Sequence, residues 1–89
     1  MASYSLLIKP SAAKELEGLP WPDRRRAVSR IRALGVDPRP VGVEKLSGQE
    51  KYRVRQGDYR ILSLIDDAEV SVTVVRIAHR SQAYRQAYR

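Results

Sequence analysis

The Gly-Asp pair at residues 57–58 is the feature that most constrains how this chain can fold. It lies between two runs, residues 51–56 and 59–65, in which β-branched and aromatic side chains alternate with polar ones. A pair that begins with glycine suits a type II′ turn, whose first central residue needs a positive φ. The sequence therefore predicts a β-hairpin in which Arg55 lies directly opposite Arg60.

This hairpin would place several arginines on one face. Because side chains alternate along a strand, Arg53, Arg55 and Arg60 are expected to share a face, with the apolar and tyrosine side chains on the other. Like charges directly opposed across two strands are destabilising. Two interpretations follow: a solvated face on which the arginines splay apart, or an anion site, since the guanidinium fork matches phosphate geometry and stays charged.

Composition limits the kind of protein that this can be. Eighty-nine residues are expected to form one domain over residues 1–89, and 43% hydrophobic with 30% charged residues is typical of a globular chain. The chain has no cysteine, which excludes disulfides, and we expect neither a metal site nor a cofactor. No apolar run approaches the ~18 residues of a membrane span, and no signal-peptide pattern is present, so a cytoplasmic protein is expected.

The balance of charge indicates an acidic partner. Seventeen Lys and Arg against ten Asp and Glu give a net charge of +7 and a pI of about 10.3. Such a protein attracts a nucleic acid or a negatively charged protein segment. Charge alone does not distinguish the two.

The other segments predict an α+β fold. The expected elements are a strand at residues 4–9, a helix at 12–19 capped by Ser11, a helix that begins at Pro22 and ends before Gly35, the hairpin, a polar turn at 66–69, a strand at 70–78 and a short helix capped by Ser81. Apolar residues on both faces of the last strand from Val74 onward indicate a central position in the sheet. The predicted order is β-α-α-β-β-β plus a short C-terminal helix. Two N-terminal helices would pack on one face of a small, antiparallel-rich sheet and leave the other face free for a site.

The second predicted helix carries a basic coat, which is expected to be a solvated face rather than a binding surface. Its arginines are Arg24, Arg25, Arg26, Arg30 and Arg32. Trp21, between two prolines at the bend before this helix, is expected to be a packing residue.

Short motifs in a fixed order resemble the RelE/ParE superfamily of toxins from toxin–antitoxin pairs, over almost the whole chain from about Tyr4 to Tyr88. They are Ala-Ala-Lys-Glu-Leu at 12–16, Lys-Leu-Ser-Gly at 45–48, Tyr-Arg-Val-Arg at 52–55, Gly-Asp-Tyr-Arg-Ile at 57–61, Ile-Asp-Asp at 65–67, His-Arg at 79–80 and Tyr-Arg at 84–85. Each motif is weak alone, but their joint order and spacing are specific.

The resemblance implies a function and a set of residues. RelE-type members are RNases that cut mRNA in the ribosomal A site, whereas ParE-type members act on DNA gyrase. Matched positions imply catalytic roles for Arg55, Arg60, Arg80 and Tyr84. The presence of Arg80 and Tyr84 favours the RelE branch. RNA-binding roles are expected for Lys51, Arg53, Arg55 and Arg85. Two departures stand out: arginines replace lysines often found at 53 and 55, and the separation of Arg80 from Tyr84 is shorter than in some members.

Metal-independent cleavage of RNA needs a proton acceptor for the attacking 2′-OH, donors for the charge on the phosphate and a proton for the leaving oxygen. Arginine stays protonated, so it cannot accept the proton. His79 is the only side chain with an ordinary pKa near neutrality, and it is a candidate catalytic residue. The alternative is catalysis by orientation and charge, with water or a ribosomal group as the acceptor.

The expected partners are a cognate acidic antitoxin similar to RelB, bound in a hetero-oligomer, and the ribosome with its mRNA, but no membrane. Two competing hypotheses remain. One is a toxin of the same fold that inhibits gyrase, and the other is a binding module without catalytic activity that associates with RNA through charge.

Overall fold

The structure is a computed structural model that describes residues 3–46 and 50–83, the last two of these by their backbone only. The elements within these ranges are β1 (Ser5–Ile8), α1 (Pro10–Glu17), α2 (Trp21–Val36), β2 (Glu44–Lys45), β3 (Lys51–Gln56), β4 (Tyr59–Asp66), β5 (Ser71–His79) and α3 (Arg80–Ala83). The predicted α+β fold is confirmed. The structure adds β2, whose two residues are too few to show the alternation of a strand.

One sheet contains the strands in the order β1-β5-β4-β3-β2. The β1 strand runs parallel to β5, and the other neighbours are antiparallel. After β1 the chain runs through α1 and α2 to β2 at the opposite edge of the sheet, and the antiparallel strands β3, β4 and β5 then lead back to β1. Because β5 pairs with β1 on one side and β4 on the other, its predicted central position is confirmed.

The core lies between the two long helices and one face of the sheet. Its buried members include Ala12, Ile31, Leu34, Val54, Ile61, Ile65, Val72, Val74 and Ile77. The other face, which we call the open face, carries only a small apolar cluster around Leu62 and Ala78. The helices therefore cover one side of the sheet and leave the open face available for a site.

The helix boundaries differ from the prediction. The α1 helix begins at Pro10, so Ser11 is its second residue rather than its cap. Proline suits a first helical position because its fixed φ is helical and that N–H would have no intrahelical partner. Gly35 does not end α2, because its φ is not positive and the helix continues to Val36. Its carbonyl instead accepts a hydrogen bond from the Tyr4 N–H at 2.7 Å.

Two further expectations are corrected. Trp21 does not pack into the bend, because it is the first residue of α2 and is 61% exposed. Ser81 does not cap the last helix, because α3 already begins at Arg80.

Within the described part of the chain, no helix is long and apolar enough to cross a membrane.

Candidate nucleic-acid interface

The predicted hairpin is present with the predicted register. Gln56 pairs with Tyr59, which leaves a two-residue turn, and Arg55 pairs with Arg60. Gly57 has a φ of 59°, and positive φ at this turn is confined to that residue. A positive φ at the first central position alone is the pattern of a type II′ turn.

The pairing register places four cationic residues on the open face: Lys51, Arg53, Arg55 and Arg60. We call the part of the open face that these four side chains form the basic face. Arg53 pairs with Leu62, whose side chain belongs to the apolar cluster on that side, and residues two apart on a strand share a face. The sequence prediction that Arg53, Arg55 and Arg60 share a face is therefore confirmed. Each of the three has a different environment.

Arg60 is buried, with 6% of its surface exposed. Its Nη1 donates to the carbonyl oxygens of Gly57 at 3.2 Å and Tyr59 at 3.0 Å. These bonds fold the guanidinium back toward the turn. The two carbonyl oxygens accept hydrogen bonds from the buried guanidinium group and offset part of its positive charge. They thereby reduce its repulsion with Arg55, which lies directly opposite.

Arg53 is held by a carboxylate from the edge strand. Its Nε and Nη2 donate to Glu44 Oε1 at 3.1 Å and 2.7 Å, and its side chain is 12% exposed. Glu44 in β2 pairs directly with Arg53 in β3, so the two lie on one face. This ion pair offsets the charge of Arg53, which makes it a weaker attractor of anions than its position alone indicates.

Arg55 is the accessible cation of the basic face. It is exposed, and no hydrogen bond or ion pair joins its side chain to another residue of the described ranges. Lys51 is half-buried at the other end of the same strand. An exposed guanidinium with its donors available is the group best suited to a phosphate.

Arg80 is brought to the hairpin end of the sheet. Its backbone N–H donates to the carbonyl of Asp58 in the turn at 2.7 Å, so α3 starts beside the two residues that join β3 to β4. The Arg80 side chain is exposed. The structure thus brings Arg55, Arg60 and Arg80 to one end of the sheet.

His79 is not on the basic face. It pairs with Tyr59, which lies on the helix-covered side of the sheet, and the two rings meet edge to face with their centres 5.6 Å apart. The Nδ1 atom accepts from the Ser81 N–H at 3.3 Å and lies 3.1 Å from Ser81 Oγ. In the neutral ring this leaves the proton on Nε2. Register and hydrogen bonds thus separate His79 from the arginines. The remaining predicted site residues, Tyr84 and Arg85, lie outside the described residues.

The far end of the open face carries carboxylates. A concavity of about 690 Å³ is lined there by Glu50, Leu64, Ile65, Asp66, Asp67, Ser71 and Thr73. Asp67 and Glu50 are paired with Arg39 and Lys45, so a polyanion is attracted chiefly to the exposed arginines at the hairpin end. Over the described ranges, no three His, Asp or Glu side chains lie close enough together to hold a metal ion.

A network of charged and phenolic side chains at this far end was not predicted. Arg39 donates to both oxygens of Asp67, at 3.2 Å and 2.9 Å, and to the Tyr52 hydroxyl at 3.1 Å. Tyr4 donates to Asp67 at 2.8 Å, and Tyr52 donates to Glu50 at 3.0 Å. The partners lie far apart in sequence, in loops or at the ends of strands. No pattern of neighbouring residues could therefore predict that they contact one another.

These contacts shift the pKa values of the network. The hydrogen bonds from Arg39, and then that from Tyr4, hold the pKa of Asp67 below its ordinary value. Tyr52 and Lys45 do the same for the pKa of Glu50 through their hydrogen bonds to its carboxylate. The pKa of Tyr4 is raised, chiefly because its hydroxyl donates to the Asp67 carboxylate. The first two shifts favour the ionised carboxylates, and the third favours the protonated Tyr4 hydroxyl that donates to one of them.

Comparison with known proteins assigns the chain to a family. The sequence model of the family described as "ParE toxin of type II toxin-antitoxin system, parDE" matches residues 6–84. The chain belongs to this toxin family, within the RelE/ParE superfamily. Toxin RelG of Mycobacterium tuberculosis (strain ATCC 25618 / H37Rv) is 30% identical over 86 residues, which cover 93% of this chain and 98% of RelG.

The similar proteins are of the RelE type. Toxin RelE of the same strain is 32% identical over 84 residues, 92% of this chain and 87% of the relative. The toxin–antitoxin complex RelBE2 of M. tuberculosis contains a chain with a TM-score of 0.79 and 27% identity, over 89% of this chain and all of that one. The archaeal RelE–RelB complex from Pyrococcus horikoshii OT3 shares the fold, with a TM-score of 0.78 at 24% identity over 92% of this chain and all of that one. The protein is a RelE-type toxin of a toxin–antitoxin system.

Proposed function

We propose that the protein is a ribosome-dependent, metal-independent mRNA endonuclease that inhibits translation. The observation that carries the proposal is that Arg55 and Arg60 pair beside the hairpin turn and that Arg80 begins α3 at the same end of the sheet. Membership of the RelE-type toxins supports it, because the sequence resemblance connects that branch with mRNA cleavage. The net charge of +7 adds a general attraction for a polyanion.

The reaction is a transesterification within the RNA. The 2′-oxygen attacks the adjacent phosphorus, the bond from phosphorus to the 5′-oxygen breaks, and the products are a cyclic phosphate and a 5′-hydroxyl. Negative charge grows on the phosphate oxygens in the transition state. Arg55 and Arg80, both exposed, would bind that phosphate, and fixed donors stabilise developing charge at low reorganisation cost.

Arg60 would act from a fixed position. Two carbonyl oxygens of the turn already hold its Nη1, which restricts the guanidinium to one orientation. An arginine has five N–H donors, so the fork retains others for a phosphate oxygen. Tyr84 would stack on an unstacked base and Arg85 would contact the backbone, as the resemblance implies.

The proton of the 2′-OH would pass to water or to a ribosomal group rather than to His79. The His79 ring packs against Tyr59 on the helix-covered side, and its Nδ1 is engaged by Ser81. Catalysis would then depend on orientation and charge stabilisation, so a substrate held in line by the ribosome would react much faster than free RNA. With His79 held away from the arginines, the proposed site is expected to depend on the ribosome.

The proposed partners are the ribosome with its mRNA and a cognate acidic antitoxin that neutralises the toxin in a hetero-oligomer. One similar structure is the toxin–antitoxin complex RelBE2, and another is a complex of RelE with RelB. An acidic antitoxin complements a toxin of net charge +7.

Two measurements in cells that express the protein separate this proposal from gyrase inhibition. We expect incorporation of labelled amino acids to stop while plasmid supercoiling is unchanged. Loss of negative supercoiling before any fall in translation would overturn the proposal in favour of a gyrase target. Arg80→Ala should abolish the translational effect, and Arg32→Ala, which removes an exposed arginine from α2, should not.

A further inference from the structure

The edge strand β2 places a carboxylate beside the cations of the basic face. Glu44 pairs with Arg53 in the strand register, and its Oε1 accepts hydrogen bonds from Arg53 Nε at 3.1 Å and Nη2 at 2.7 Å. A carboxylate at this position is unfavourable for a surface that only binds a polyanion, because it repels each phosphate that approaches. The proposed RNA site does not use Glu44.

The geometry of this ion pair allows another anion to replace the carboxylate. Both hydrogen bonds end on one oxygen, whereas the stronger fork-to-fork arrangement uses one oxygen for each bond. The Glu44 side chain is 59% exposed and that of Arg53 is 12% exposed, so Glu44 is the outer member of the pair. Ion pairs with a member this exposed to water are weak. An anion that arrives from solvent therefore meets Glu44 before it reaches Arg53.

An RNA phosphate is an anion that can make this exchange. Its two unesterified oxygens fit the guanidinium fork in the same way as a carboxylate does. Arg53 and Arg55 lie on the same side of β3, about 7 Å apart along the strand, which is close enough for one RNA strand to contact both. The number of phosphates that the basic face binds thus depends on whether Glu44 stays on Arg53.

We propose that Glu44 is a specificity-determining residue that occupies Arg53 in place of an RNA phosphate. Free RNA then meets Arg55 as the accessible cation, and a contact with Arg53 requires it to displace the carboxylate. A message held by the ribosome is presented to the docked toxin at a high effective concentration, so the displacement limits it far less. Glu44 thereby keeps the toxin from being sequestered by other RNA. This inference rests on the proposed RNA substrate.

The first test compares the binding of RNA by Glu44→Gln and by the parent, both as full-length chains. The probe is a labelled, single-stranded 2′-O-methyl oligonucleotide, which lacks the attacking hydroxyl and so reports binding apart from cleavage. Fluorescence anisotropy should show an affinity about tenfold higher for Glu44→Gln. The slope of log K against log salt should become steeper by about 0.7, the value for one added phosphate contact.

The matched control is Glu17→Gln, which removes the same charge at an exposed position of α1. It should bind the probe within about twofold of the parent. The double variant Glu44→Gln/Arg53→Gln should return the affinity and the slope to the parent values, because it lacks the cation that binds the added phosphate. A gain that persists in the double variant, or an equal gain in Glu17→Gln, would overturn the proposal and leave only the loss of a negative charge.

Urea unfolding of the same variants separates this role from a purely structural one. The pair also joins the two-residue strand β2 to β3, so Glu44→Gln is expected to unfold at a slightly lower urea concentration. A loss of stability with no change in affinity or slope would show that the pair only holds β2 in place, and it would overturn the proposal.

A competition assay tests the selectivity. The unlabelled oligonucleotide, with a sequence not complementary to the message, is added to a cell-free translation reaction that contains the toxin. It should relieve inhibition by Glu44→Gln at a concentration about tenfold lower than it needs with the parent. Relief at equal concentrations would overturn the proposed selectivity. If the parent does not inhibit translation even without the oligonucleotide, the proposed function fails, whereas an Arg53-dependent gain in binding would still support the exchange at Arg53.

Discussion

Three guanidinium groups of the basic face show how neighbouring charges coexist on a small sheet. Arg60 is bonded to turn carbonyls, Arg53 is paired with Glu44, and Arg55 is exposed. The face is therefore stable without a bound anion, and affinity for one should depend most on Arg55. Alternation along the strands predicts which residues share the face, but it cannot predict these partners, because Glu44 belongs to an edge strand of only two residues.

Removing the exposed charge should weaken RNA binding in a salt-dependent way. Arg55→Gln is expected to reduce the affinity for single-stranded RNA roughly tenfold, or about 1.4 kcal/mol. The slope of log K against log salt should become shallower by about 0.7, the value for one phosphate contact on a single strand. Fluorescence anisotropy with a labelled oligonucleotide over a salt series measures both. Lys9→Gln is the control, and an equal change in its slope would show that Arg55 makes no particular contact.

A buried hydroxyl gives a second prediction at this scale. Ser63 has no exposed surface, and its Oγ has no hydrogen-bond partner. Since burial of an unpaired hydroxyl is unfavourable, Ser63→Ala should leave the free energy of unfolding unchanged or raise it by about 1 kcal/mol. Urea denaturation measures the difference. A loss of more than about 1 kcal/mol would show that the hydroxyl has a stabilising contact.

At the scale of elements, α1 and β5 are joined at an irregular point of the sheet. Leu62 pairs with Arg76 and Ser63 with Val74, so Val75 is an extra residue that forms a β-bulge. Just beyond it, the Ile77 N–H donates to Glu15 Oε1 at 2.8 Å. The helix thus supplies an acceptor for an amide beside the irregular pairing.

Removing that acceptor should destabilise the fold. Glu15→Ala is expected to lower the free energy of unfolding by about 1–3 kcal/mol, because it leaves a partly buried N–H without a partner. Glu15→Gln keeps a carbonyl oxygen at the same position and should recover most of the loss. Glu17→Ala, at an exposed position of the same helix, should change stability by no more than about 0.5 kcal/mol. If Glu15→Ala matches Glu17→Ala in thermal or urea unfolding, the bond does not stabilise the fold.

Local signals account for most of the elements and fewer of the contacts between them. The Gly57 turn and the alternation around it predict the hairpin and its register, and the apolar run of β5 predicts its central place. The predicted helix starts, residues 12 and 22, lie one or two residues too late, because Pro10 and Trp21 take the first helical positions. The bond from Glu15 to Ile77 spans 62 positions, so it depends on how the whole chain folds.

At the scale of the whole molecule, the network around Arg39 joins segments that are distant in sequence. It connects Tyr4 near the N-terminus, Tyr52 in β3 and Asp67 in the turn before β5. These groups lie at the end of the sheet away from the hairpin, so the network is at the opposite end from Arg55, Arg60 and Arg80. Stability and the proposed RNA binding should therefore respond to different substitutions.

The network predicts a dependence of stability on pH. The pKa values of Asp67 and Glu50 are lowered in the folded state, so the unfolded chain binds more protons in acid. Their stabilisation is complete above the unfolded values near pH 4 and is lost as the pH falls through the folded values. The Tm of Arg39→Gln should therefore lie below that of the parent at pH 7, and this difference should shrink below about pH 4. Arg26→Gln is the control, and a difference that stays constant down to pH 2 would contradict the mechanism.

The central proposal is that a basic site from which His79 is separated cleaves mRNA only on the ribosome. The most direct test maps 5′-hydroxyl RNA ends in a cell-free translation reaction, for one message with and without its start codon, using the parent chain and Arg80→Ala. The account predicts ends only within the translated message and none with Arg80→Ala. Equal cleavage of the untranslated message, or cleavage that persists in Arg80→Ala, would contradict it.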